Sequence, residues 1–465
     1  MRTLIRNAAV IRPEALGASD RLDVLIQNGK IVEVGSSIEC SDVEEVDATG
    51  MILAPGFVNA HVHLWEFLLR GIGADWVSKR DYHGTVHGNL AEHVSAEDVY
   101  AATLAGALNQ INSGTTTVLD WCHVVRDEQM VDAALDALRD SGIRAVFARG
   151  TAKPPTRDGE APYWTKPFPR AAIHRLRTQR LASDEALVTP AMAVLGTDIA
   201  PYEVARQDAQ LAREYDVLQT CHLWARPGQR RTPDGLARLH ADGLLGPDFN
   251  IAHGNCLPDD ELQLVVDAGG SLTSTSFAEM LNSVCPPVIG RVSRLGGMPS
   301  LGTDVCAYFN SSMLLELRNA FKHQREDDNR ALHQRNSWPA EYHWTRTREA
   351  FAWATIGGAK ALRLDSVIGS IAPGKAADLI LVNAGSLNIF PAAESGDLVH
   401  SLVMYAETAD IDSVMINGHF HKRGGQLQVG TARLRRVLNE VAERRGALMA
   451  RGDYVYRPFS RGPMP

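Results

Sequence analysis

The hydrophobic rhythm of the chain changes twice. Over residues 1–55, short apolar and polar alternations predict strands, notably Asp23-Val24-Leu25-Ile26-Gln27 and Lys30-Ile31-Val32-Glu33-Val34. Asn28-Gly29 joins them, and that dipeptide favours a tight hairpin because both central residues of such a turn need positive φ. The same texture returns late, in Ile371-Ala372-Pro373-Gly374-Lys375-Ala376-Ala377-Asp378-Leu379-Ile380-Leu381-Val382 and in Ser413-Val414-Met415-Ile416-Asn417-Gly418. Residues 1–55 and 365–425 are therefore expected to pair into one small β-sandwich domain that is split in sequence.

Between these ends, residues 56–364 alternate strand with helix. Strands are expected at Phe57 to His63, Gly114 to Asp120, Arg144 to Ala148, Val188 to Val194, Val217 to His222, Asn250 to His253, Gly270 to Thr273 and Pro299 to Asp304. Pro190 is the one residue that sits badly in this set, because proline cannot donate to a sheet ladder. Ser95-Ala96-Glu97-Asp98 has the spacing of a capping box and opens one of the intervening helices. Eight strands that alternate with helices predict an α/β fold, a (β/α)₈ barrel of the TIM type, with reactive side chains gathered at the C-terminal strand ends. Helical sequence follows from Met313 to His323 and from Thr345 to Leu364, and residues 426–465 are expected to form a C-terminal helix and tail.

Composition narrows the function. The 465 residues are 45% hydrophobic and 22% charged, ordinary for a globular enzyme, with a formal net charge of -8. That balance disfavours nucleic acid as a partner, since binding it takes clustered cations. Arg433-Leu434-Arg435-Arg436, with Glu440 and Glu443 following, reads as the solvated face of a helix. No apolar run is long enough to span a bilayer, and neither a membrane partner nor a signal segment is expected, which places the protein in the cytoplasm. Cys40, Cys122, Cys221, Cys256, Cys285 and Cys306 form no Cys-x-x-Cys pair, so reduced thiols are expected.

The candidate chemistry begins in the first barrel strand. Side chains alternate faces along a strand, so His61 and His63 point the same way and can hold one metal ion. His222, His253 and Asp304 each close another expected strand. Neutral imidazoles with a carboxylate suit one borderline divalent ion, zinc or cobalt first, with iron or manganese also suited. Such an ion lowers the pKa of a coordinated water to about 7.

As a series, Ala54-Pro55-Gly56-Phe57-Val58-Asn59-Ala60-His61-Val62-His63, Gly114-Thr115-Thr116-Thr117, Ala252-His253-Gly254, Leu301-Gly302-Thr303-Asp304 and Gly374-Lys375-Ala376-Ala377-Asp378-Leu379 resemble the amidohydrolase superfamily across nearly the whole chain. The resemblance implies that His61, His63, His222 and Asp304 bind the metal. It also implies that His253 orients the water or polarises the substrate, and that Asp304 takes the water's proton. Two-metal members carry a lysine on the fourth strand, and Val188 to Val194 has none, so one metal is expected. The chain looks most like the branch of triazine chlorohydrolases, phenylurea hydrolases and molinate hydrolase, alongside cytosine and related deaminases. Members of this type form homo-oligomers, and a dimer or tetramer is expected.

Two departures from that branch bear on the reaction. A glutamate usual three residues after the fifth-strand histidine is Ala225 here, and a second histidine usual after the seventh strand is missing from Leu272-Thr273-Ser274-Thr275-Ser276. Without that proton donor, attack on a carbonyl is easier than attack on an aromatic ring carbon, whose ring nitrogen must be protonated. The expected activity is thus hydrolysis of a small hydrophobic thiocarbamate, carbamate, urea or amide. The alternative is deamination or dechlorination of a triazine, pyrimidine or purine-like ring, with Glu279 or a water chain standing in for the missing acid. Loop aromatics suggest an apolar guest, and the expected pocket residues are Trp65, Trp76, Tyr82, Trp121, Trp164, Trp224, Phe277, Glu279 and Tyr308.

Overall fold

The computed structural model describes residues 2–11, 21–76, 79–283, 285–337, 339, 341, 344–395 and 397–456. The end of the expected C-terminal tail, 457–465, lies outside the described residues.

Strands β1 (Arg2–Val10), β2 (Arg21–Gln27), β3 (Lys30–Gly35), β4 (Glu44–Asp47) and β5 (Met51–Pro55) open the chain. The barrel follows as β6 (Phe57–His63), β7 (Thr115–Cys122), β8 (Arg144–Gly150), β9 (Val188–Val194), β10 (Leu218–Leu223), β11 (Phe249–His253), β12 (Ser271–Ser274), β13 (Ser300–Leu301) and β14 (Asp304–Val305). The chain then returns to the first sheet through β15 (Leu379–Asn383), β16 (Ile411–Ile416), β17 (His419–Arg423) and β18 (Gln426–Leu427). That sheet runs β18-β17-β16-β15-β5-β1-β2-β3, with β4 beside β1. The antiparallel pair of β5 and β15 is what unites the two chain ends. Asn28 and Gly29 take φ of 50° and 79° in the hairpin between β2 and β3.

In the barrel every neighbouring pair is parallel. All residues of β6, β7 and β8 are buried, as expected of strands with both faces covered. Pro190 is tolerated in β9 because it pairs with Phe147 of β8 one residue before pairing with β10 begins at Ala191. The eighth strand is interrupted where one was expected from Pro299 to Asp304. Its first half, β13, pairs with β12, and its second half, β14, pairs with β6, so the closure falls at Gly302-Thr303. The Gly302 N–H donates to Ser274 O at 2.9 Å and the Thr303 N–H to Asn59 Oδ1 at 3.1 Å. A Cβ on Gly302 would lie 2.7 Å from both Cβ and O of His61, so only glycine lets the barrel close there.

The helix Ala96–Asn112 starts at the expected capping box: the Asp98 N–H donates to Ser95 Oγ and the Ser95 N–H to Asp98 Oδ2. The C-terminal helix Thr431–Arg451 packs on it through Val437 against Leu104 and Leu108, and leaves Arg433, Arg435 and Arg436 exposed. Arg445 Nη1 on that helix donates to Leu68 O at 2.9 Å and Arg70 O at 2.7 Å, fixing the segment after β6. Arg144 at the start of β8 grips Asp378 beside β15 with a two-pronged ion pair, 2.7 and 3.0 Å, tying the barrel floor to the sheet of chain ends. Both side chains are buried, and removing one partner of such a pair costs about 3–5 kcal/mol.

One expectation is corrected. Cys256 and Cys285 form a disulfide across 29 residues. Their spacing gives no signal because the pairing of β11 with β12 is what brings their following loops together. Cys40, Cys122, Cys221 and Cys306 are thiols. Among the described residues, no helix is long and apolar enough to cross a membrane.

Candidate metal centre

The end of β6 places His61 and His63 on one face. His61 Nε2 lies 3.2 Å from Asp304 Oδ1 and 3.2 Å from His222 Nε2, and His63 Nε2 lies 3.3 Å from the same Asp304 oxygen. One ligand atom from each of these four residues falls within 4.8 Å of the others. Tetrahedral bonds of about 2.0–2.1 Å set donor atoms roughly 3.3 Å apart, so the group suits one divalent ion. Facing imidazole nitrogens need either a proton or a cation between them. Burial pushes His61 down to about 4 and holds His222 well below its ordinary value, so both rings are neutral, and together with the Asp304 oxygen that His61 and His63 share they make a donor set that suits a cation. Burial also opposes charge on His63, but the Asp304 hydrogen bond and the Glu66 charge outweigh it and raise His63. Asp304 stays well below the usual carboxylate range: burial works against this, and hydrogen bonds from His61 and His63 prevail.

Surrounding groups orient the rings. The His63 Nδ1–H donates to Trp121 O at 2.8 Å, which leaves Nε2 for the centre. Trp121 lies against His222, ring centroids 3.8 Å apart, and meets His61 edge-on at 5.1 Å. His253 Nδ1 is 3.0 Å from Thr275 Oγ1 and 3.5 Å from Glu279 Oε1, so Nε2 is the ring atom left for the cavity. Glu279 is buried, with Ser274 Oγ and the Thr275 N–H each donating to it at 2.8 Å. His253 and Asp304 have φ of 73° and 56°, left-handed conformations unusual for these residues and typical of functional positions.

A cavity, partly open to solvent, lies over the centre. Of the expected pocket residues, Tyr82, Trp224, Glu279 and Tyr308 line it along with His63, His222, His253 and Asp304. The other five do not. Trp65 is buried and donates through Nε1–H to His123 Nδ1. Trp76 packs behind Tyr82 and Tyr308, and Phe277 against Phe309. Trp121 serves the ligand rings, and Trp164 packs with Tyr163 on Leu195, Ala200 and Val204. Loop tryptophans bury large apolar areas, and here most spend them on lid and wall packing rather than on the cavity.

Sequence reading missed much of the wall. His83, His87, His123, Lys153, Asn255, Asn282 and Ser283 also line it. His123 directly follows β7, so the strand-end logic applied to His222 covers it too. His83 and His87 are four residues apart, a spacing that puts both on one helical face. Glu66 also went unnoticed: it is buried and accepts from Tyr82 Oη at 2.5 Å, and burial pushes it up to about 7. At Ala225, where a glutamate was missed from the outset, the N–H groups of Trp224 and Ala225 both donate to Asp198 Oδ2 at 2.7 Å.

A parallel barrel with three imidazoles and a carboxylate at its C-terminal strand ends defines a metal-dependent hydrolase. The chain belongs to the Amidohydrolase family, which residues 52–420 match. It is 29% identical over 440 residues to a 5'-deoxyadenosine deaminase of Methanobrevibacter smithii, covering 89% of this chain and 91% of that protein. Among solved structures, a zinc-bound adenosine deaminase from Xanthomonas campestris superposes with a TM-score of 0.78 at 23% identity, covering 96% of this chain and 98% of that one. The zinc complex of an atrazine chlorohydrolase from Arthrobacter aurescens TC1 gives 0.80 at 22% identity, covering 95% and 100%. At these identities the structures speak for the fold.

Proposed function

We propose that the protein is a metal-dependent aminohydrolase that removes an amino group from a small, polar heteroaromatic ring. The cavity wall carries this reading. His87, Lys153, Asn255 and Asn282 give it a polar lining, and the buried Asn255 Oδ1 has no hydrogen-bond partner, which suits a heterocycle with ring or amino N–H groups better than an apolar urea or thiocarbamate. The resemblance to a 5'-deoxyadenosine deaminase over most of the chain supports it and moves the reading away from thiocarbamate or urea cleavage.

His61, His63, His222 and Asp304 would hold the ion, which when bound supplies Lewis acidity and an activated water. Asp304 takes the water's proton and passes it to the leaving nitrogen. His253, steadied by Thr275 and Glu279, presents Nε2 to the reacting carbon's substituents. Ala225 has no proton to give a ring nitrogen, so His253, positioned by Thr275 and Glu279, is the group left to give it. Water adds, ammonia leaves, and the ring keeps a carbonyl.

Ala225 also favours a second reading, hydrolysis at an acyclic carbonyl, where no ring nitrogen needs protonation. Metal-reconstituted protein incubated with aminopurines, aminopyrimidines, aminopterins and aminotriazines is expected to release ammonia. Free amine or thiol from aryl ureas and thiocarbamates, with no ammonia from the rings, would return the assignment to the second reading.

A further inference from the structure

Two segments that line the cavity are joined covalently just beyond it. Asn255 follows His253 at the end of β11, while Asn282 ends the helix Ser276–Asn282, which carries Glu279, and Ser283 caps it. Cys256 directly follows Asn255, Cys285 stands two residues after Ser283, and their sulfurs are bonded. Asn255 Nδ2 donates to Ser283 Oγ at 2.7 Å and to Cys285 O at 2.9 Å, alongside the disulfide.

The two segments are held unequally. Arg291 grips the first: Nη1 donates to Asn255 O at 3.1 Å, Nη2 to Leu257 O, and Nε to Asp259 Oδ1 at 2.7 Å. The helix Ser276–Asn282 is thinly packed at its far end, where Met280 and Leu281 are exposed; its buried residues are Ser276, Ala278 and Glu279. Elements with few buried apolar contacts open locally at low cost, so a cross-link at this end matters more than one in a core. With the sulfurs parted, the Asn255 hydrogen bonds remain to tie the end of the helix to the loop after β11.

Cys256 and Cys285 are both partly exposed, within reach of a small dithiol, whereas Cys122, Cys221 and Cys306 are buried. A thiolate of the dithiol attacks one sulfur to form a mixed disulfide, and its second thiolate resolves it. The protein gains two electrons and two protons as two thiols, and the dithiol closes to a cyclic disulfide.

We propose that the Cys256–Cys285 bond is a redox-sensitive brace of the cavity wall: closed, it holds Asn255 and the end of the helix Ser276–Asn282 in place for the substrate, and reduction by a dithiol loosens that wall. The effect on substrate rests on the reading of this cavity as the substrate site.

The test compares the metal-loaded parent in two states. Equilibrated with the cyclic disulfide of dithiothreitol, it should show four thiols in denaturant; after excess dithiothreitol, desalting and metal reloading, all six cysteines should titrate. On reduction, hydrogen exchange over seconds to minutes should rise in the helix Ser276–Asn282 while the helix Ala96–Asn112 stays protected in both states. KM for the substrate found by the ammonia screen should rise roughly threefold to tenfold, the worth of one hydrogen bond, with kcat within about twofold. Cys256→Ser combined with Cys285→Ser should behave as the reduced parent and ignore the dithiol; the corresponding alanine pair replaces it if that variant does not fold. Six thiols before reduction, equal exchange in the two states, or an unchanged KM overturns the proposal. If no ring compound releases ammonia, the aminohydrolase reading falls by itself, and the thiol count and exchange still decide the brace.

Discussion

Glu279→Gln is the sharpest perturbation of the candidate centre. The carboxylate accepts from Ser274 Oγ and the Thr275 N–H at 2.8 Å each, and meets Thr275 Oγ1 at 3.4 Å, the hydroxyl that holds His253 Nδ1. Alanine would strand two buried donors at about 1–3 kcal/mol each and confuse stability with function. Glutamine keeps the shape and one accepting oxygen, and loses the charge. A charged hydrogen bond is worth about 1.5–3 kcal/mol against about 0.5–1.5 for a neutral one, so His253 loses about 1–2 kcal/mol of support. If that support acts in the transition state, kcat falls roughly fivefold to thirtyfold and KM stays within about threefold. Thr275→Val breaks the same link with the carboxylate intact and should fall alike. Steady-state kinetics on the substrate found by the ammonia screen reads both. Glu279→Gln with kcat within twofold of the parent would refute the role of Glu279 as the positioning residue for His253.

Three further outcomes are expected. Dialysis against a chelator should abolish activity, and restoring zinc or cobalt to about 100 times Kd should raise stability by about 2.7 kcal/mol by mass action, a gain that His61→Ala lacks in differential scanning calorimetry. Cys285→Ser opens a loop of 29 residues and should cost roughly 3.5 kcal/mol on the loop-entropy account, seen as a lower urea midpoint that dithiothreitol reproduces in the parent; an unchanged midpoint in both would count against the disulfide. Asp208 accepts the Phe168 N–H, and burial pushes it up to about 7. The folded state therefore holds this proton more tightly than the unfolded chain, and the stabilisation is lost as pH rises from about 4 through 7, so Asp208→Asn should exceed the parent in the unfolding free energy from urea titration at pH 8, by on the order of 2–4 kcal/mol, and match it at pH 4.

What the sequence by itself determined was the frame. Periodicity and turn chemistry are local, so the hairpin at Asn28-Gly29, the helix cap at Ser95 and the barrel strands were legible, as was the position of His61, His63, His222, His253 and Asp304 at or beside strand ends. A strand end fixes where a side chain emerges, and in a parallel barrel all such ends gather at one mouth.

Tertiary structure alone decided which loop residues reach the cavity. A loop side chain points wherever the loop's packing sends it, and no period records that. The tryptophans Trp65, Trp121 and Trp164 satisfied burial and stayed in the walls, while Lys153, His87 and Asn255 became the cavity lining. The split of the eighth strand at Gly302 required the approach of His61 from the far end of the barrel sequence. Cys256 found Cys285 because β11 and β12 are neighbours in space. Glu279, a loop acid by sequence, is held under His253 by the Ser274 hydroxyl and the Thr275 N–H, both of which donate to it.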